Sequence, residues 1–168
     1  MSNLRITVER SVTISSRKFE DVVASIDAAV GHPDMHAFWK EIAAASTMPA
    51  IEAIINSAIG PSGFMEFTRF DHGQFLKKAQ SLDSTAATPR ILRIVLGNPL
   101  IMMAMAKHVH DAGSYAPVTL LIDERDGKVR LSYDTMASFL SSYGEPAALR
   151  VARELDAKVE ALITSAAG

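Results

Sequence analysis

An aspartate and a histidine stand side by side in Phe70-Asp71-His72-Gly73, at the end of an apolar segment. Histidine titrates nearest neutral pH, so a placed His72 can act as a general acid or base. Neighbours on a strand point to opposite faces, which gives Asp71 the role of capping the following turn rather than orienting the imidazole. Further along, Tyr133 precedes Asp134. A buried phenol needs a partner for its hydroxyl, so Tyr133 with Asp134 or His72 can form the polar end of an otherwise apolar pocket. Gly97-Asn98-Pro99 adds a helix start, because Asn favours the N-cap and Pro the first helical position. Such a start presents N–H groups to an anion, but the glycine spacing and lysine of a nucleotide loop are missing. His108-Val109-His110-Asp111 comes nearest to a metal cluster. Its imidazoles share a face only if the segment is extended, and no third ligand lies at a recognised spacing, so no metal is assigned and no cofactor is required. Met102, Met103 and Met105 read as core filler rather than haem ligands. Gly-x-Ser-x-Gly, Ser-x-x-Lys and His-Glu-x-x-His are all absent.

Composition narrows the field from the other side. The chain has 168 residues, 48% hydrophobic and 21% charged, enough for one self-sufficient core. A formal charge of -2, with no long basic tract, excludes nucleic acid as a natural partner. Zero cysteines remove thiol nucleophiles, thiolate metal sites and iron–sulfur clusters, so chemistry must come from histidine, tyrosine, carboxylate or a borrowed cofactor. The amino terminus carries no signal core, and the apolar runs broken by Gly97, Asn98 and Pro99 are too short for a membrane span. The expectation is a cytoplasmic protein without a membrane partner.

The elements that must position these groups follow from periodicity. Leu4, Ile6, Val8, Val12 and Ile14 alternate as a half-buried strand does, interrupted by Arg10. Ser16 is expected to cap a helix with Phe19, Val22, Val23, Ile26 and Val30 inward. Gly31 and Pro33 stop that helix. Asp34 and Thr47 read as caps of two further helices. A strand is predicted over 64–70, a short helical turn around Phe75 and Leu76, a loop over 80–89 and another strand over 90–96. A helix over 99–107 follows. Val118, Leu120 and Ile122 lead into Asp126-Gly127 and return through Val129, Leu131 and Tyr133, a hairpin pattern. The last helix runs from Pro146 to about Thr164. This irregular order implies one α+β domain over 1–168, an antiparallel sheet with helices on one face, and residues 32–62 as a helical elaboration. A sheet covered on one side leaves its other face to a ligand or a second copy, which makes a homodimer the default.

The set Phe70-Asp71-His72-Gly73, Gly97-Asn98-Pro99-Leu100, Tyr115-Ala116-Pro117, the Asp126-Gly127 hairpin, Tyr133-Asp134 and Leu155-Asp156-Ala157-Lys158 resembles the bacterial domain-of-unknown-function family 302. The pieces agree in order and approximate spacing over residues 4–31 and 63–164. The resemblance implies a curved antiparallel sheet, helices on one side in a topology similar to that of TATA-binding protein, and a homodimer. It carries no catalytic role to His72, Asn98, Pro99, Tyr115, Pro117, Tyr133 or Asp134. Thr135-Met136-Ala137-Ser138 departs from the proline and serine pair of longer relatives, and 32–62, with Trp39, stands outside the shared pattern as a lid or dimer contact.

Three functional readings compete. The first is a module that holds a small, largely apolar or anionic molecule, with His72, Asn98, Tyr115 and Tyr133 as polar contacts. In the second, an enzyme uses His72 as general acid or base with Tyr133 or Asp134, the Asn98 turn holding an anionic group. The third is an interaction module with an uncovered patch around Trp39.

Overall fold

The computed structural model describes residues 5–80 and 89–168. Five strands form one open, wholly antiparallel sheet: β1 (Arg10–Ser15), β2 (Met65–Asp71), β3 (Ile91–Gly97), β4 (Val118–Arg125) and β5 (Lys128–Asp134), in spatial order β1-β5-β4-β3-β2. The β4–β5 hairpin turns through Asp126 and Gly127 at φ values of 52° and 71°, the left-handed conformation that an Asp-Gly pair tolerates best.

Helices α1 (Phe19–Ala29), α5 (Pro99–Ala106) and α8 (Pro146–Ala167) cover one face of the sheet. Leu92, Ile94 and Leu96 of β3, Leu120 and Ile122 of β4, and Val129, Leu131 and Tyr133 of β5 point into that layer and are buried. Each such aliphatic side chain contributes about 1.5–3 kcal/mol through its removal from water. From α8, Ala152, Leu155, Val159 and Leu162 recur at helical spacing and close the core.

Helices α2 (Met35–Ala44) and α3 (Met48–Ala58) form a separate, smaller cluster around Phe38, Ile55 and Met65. Their caps follow the sequence: Asp34 accepts from the N–H groups of His36 and Ala37 at 2.9 and 3.0 Å, and Thr47 from Ala50. Helix α4 (His72–Gln80) leaves β2 directly, while α6 (Ala112–Tyr115) and α7 (Met136–Leu140) are short connectors that the periodicity does not announce. A 3-10 turn, Ser141–Tyr143, precedes α8.

Several expectations need correction. The first strand begins at Arg10 rather than near Leu4, which lies outside the described residues, as does most of the loop expected over 80–89. Its apolar residues face away from the helices: Val12 and Ile14 are 39% and 55% exposed, whereas Ser15 is buried with its hydroxyl donating to the Ala167 carbonyl at 2.6 Å. Arg10 is no interruption, because it lies opposite Asp134 in register and bonds it at 2.6 and 2.8 Å. Ser16 does not cap α1, whose N-cap is Lys18. The uncovered sheet face carries Val12, Ser132, Leu121, Arg93 and Phe70 as one cross-strand row.

Candidate functional site

Tyr133 lies on the covered face of β5 and is 1% exposed. Its hydroxyl donates to Asp156 Oδ1 at 2.6 Å, and the same carboxylate accepts from the backbone N–H groups of Met136 and Ala137 at 2.7 and 2.9 Å. Burial first, then the adjacent carboxylate, pushes the phenol well above its ordinary range. Tyr133 and Asp156 therefore fasten α7 to α8 and offer nothing to a ligand. Asp134, one residue on, points to the opposite face of the sheet and is held below the usual carboxylate range by hydrogen bonding to Arg10.

His72 opens α4 at the far edge of the sheet, its ring stacked on Phe70 with centroids 6.1 Å apart. Asp71 caps the same helix, accepting from the Gln74 N–H at 2.8 Å. Strands β4 and β3 separate β5 from β2, a span of about 14 Å at strand spacing, so the structure does not bring His72 and Tyr133 together. Tyr115 stacks on Phe139 with centroids 4.5 Å apart. Its hydroxyl lies 2.7 Å from that of Tyr143, which donates to Asp111 at 2.8 Å, so the shared proton comes from Tyr115. His108 and His110 flank this chain on an exposed turn, and among the described residues they join no cluster of ligand geometry.

Asn98 is the one predicted site residue that borders an apolar cavity. The cavity holds about 230 Å³ and opens at the end of β3, where α5 departs and β4 begins. Gly97, Pro99 and Pro117 line it at the sheet end, Met102 and Met105 come from α5, Leu155 from α8, and Phe67 and Trp39 stand on its outer side. Trp39 is 50% exposed. Asn98 turns its own polar atoms away: Oδ1 accepts from the Leu100 N–H at 2.9 Å, and Nδ2 donates to the Gly63 carbonyl at 3.1 Å. The Ile101 and Met102 N–H groups both bond the Asn98 carbonyl, and Pro99 has no N–H. The helix start thus keeps no donor for an anion. Among the described residues no buried side-chain polar atom lacks a partner.

A second cluster went unread in the sequence. Asp27 at the end of α1, His32 after it and Glu66 on β2 place one ligand atom each within 4.8 Å of one another. Gly31 makes the meeting possible, because a Cβ there would lie 2.0 Å from the Ala58 carbonyl oxygen while its backbone bridges to β2. Arg69 already supplies the cation, bonding Asp27 at 2.6 Å and both oxygens of Glu66. Asp27 and Glu66 are 39 positions apart in sequence, with no short motif to mark them.

Comparison with known proteins agrees with the architecture. The domain of unknown function DUF302 matches residues 40–166, a span that takes in much of the 32–62 segment. The crystal structure of an uncharacterized conserved DUF302 protein from Bacillus stearothermophilus superposes with a TM-score of 0.63 at 10% identity, covering 94% of this chain and 97% of that one. At that identity the likeness shows the fold alone. No curated protein matches the chain, and no helix among the described residues is long and apolar enough to cross a membrane.

Proposed function

The chain belongs to the DUF302 family, and from its geometry we propose that it is a binding module for a small, uncharged, apolar molecule seated beneath Trp39. The observation that carries this reading is the 230 Å³ cavity with almost wholly apolar walls, whose one amide side chain, Asn98, is already bonded on both atoms. An apolar cavity of about 150 Å³ stays dry and accepts benzene, so this one has room for a ring with a short substituent. Charged ligands would lose their hydration there without recovering a hydrogen bond. The enzyme reading draws less support, since Tyr133 is committed to Asp156 and His72 stands three strands away.

Calorimetric titration with toluene, together with spectra of protein carrying labelled methionine methyl groups, tests the proposal. Saturable shifts at Met102 and Met105, two of eight methionines, are expected. Absence of saturable binding by toluene or an alkane of similar size overturns it. The uncovered sheet row of Val12, Leu121 and Phe70 supports a homodimer as the working form, for which sedimentation should return twice the 18.1 kDa chain mass.

A further inference from the structure

We propose that ligands enter and leave the cavity past Gly113, whose missing side chain keeps the mouth open. This rests on the binding reading above and names the residue that controls access to that site. The walls sort by depth. Gly97, Met105 and Leu155 are buried, whereas Trp39, Gly113 and Pro117 are exposed and form the rim. The mouth therefore lies between α2, α6 and the entry to β4.

Two sides of that rim are filled. The Trp39 indole packs edge-on against Phe38 and tilted against Phe67, with ring centroids 5.0 and 6.3 Å apart. Pro117 presses toward the sheet end, its Cβ 3.2 Å from where a Cβ on Gly97 would lie. On the third side, a Cβ built on Gly113 would meet no described atom within 4 Å. Glycine at 113 serves no backbone need: it is a weak helix former, yet it sits within α6 without a positive φ. Every other glycine among the described residues has either a positive φ or an atom within 3.2 Å of its would-be Cβ. What Gly113 supplies is empty space on the cavity's lining. A longer side chain there would have to swing aside at each passage, raising the barrier to entry and to release together.

Exchange spectroscopy on the Met102 and Met105 methyl groups, with toluene as the probe, reads release rate and affinity in one experiment. The variants are Gly113→Leu and Gly113→Gln, the second carrying a polar side chain that the apolar walls do not draw inward. Release should slow by about tenfold in both, with affinity changing by less than about threefold, because arrival slows in step. Ser114→Leu, at an exposed position outside the lining, should release toluene at the native rate. Native release rates in both Gly113 variants overturn the proposal and leave the binding module standing. Weakened binding without slower release also overturns it, since residue 113 then points into the cavity rather than across its mouth. Failure of toluene to bind the native protein overturns the module and the access route with it, and is read before any variant is made.

Discussion

The hydroxyl of Tyr133 and the carboxylate of Asp156 meet at 2.6 Å inside the core, across 23 positions of sequence, and that bond fixes where α7 begins. The carboxylate stands in for a cap on α7, whose N-cap Thr135 supplies no side-chain bond. Asp156→Ala should cost about 3 kcal/mol, because a phenol and two N–H groups lose their acceptor together. Tyr133→Phe removes one donor and should cost about 1 kcal/mol. Urea unfolding of both variants checks the order.

The same pair gives the fold an alkaline limit. Tyr133 has a folded pKa raised above its unfolded value of about 10, so the folded chain holds a proton that the unfolded chain gives up. Its stabilisation is complete below pH 10 and declines as pH rises beyond it. Unfolding midpoints should fall more steeply above pH 10 in the native protein than in Tyr133→Phe.

Pairing of Arg69 with Asp27 and Glu66 leads to a metal prediction. Arg69→Ala leaves two carboxylates and His32 converged on an empty position. Zinc in excess should raise the melting temperature of that variant, by about 3 °C for each kcal/mol of binding, and leave the native protein unchanged. Differential scanning fluorimetry with and without chelator reads this directly.

At the floor of the cavity, Gly97→Val should weaken toluene binding at least tenfold while costing the fold about 1–3 kcal/mol from crowding against Pro117. His72→Ala should change that affinity less than twofold, since the imidazole stacks on Phe70 at the far sheet edge. Calorimetry on the two variants tests both statements.

What sequence made legible follows from range. Caps such as Asp34, Thr47 and Asn98 act within three residues, and the Asp126-Gly127 hairpin within two, so residue type alone finds them. Val12 and Ile14 show the limit: alternation marks a strand but not which face turns inward, and the pairing with β5 decided that against hydrophobicity. Asn98 was legible as a cap and incidentally marked the cavity. Trp39, Phe67 and Met105 were not legible as its walls, because they meet only through the departure of α5 from β3 and the return of α2 over β2. His72 and Tyr133, each suited to chemistry by type, are kept apart by two intervening strands.

Methionine-methyl spectra recorded during a toluene titration show whether the cavity beneath Trp39 takes up an apolar molecule. Saturable shifts are expected at Met102 and Met105, with Met48, exposed at the start of α3, unmoved. Linear, unsaturating shifts spread across the methionines, or none at all, would contradict it.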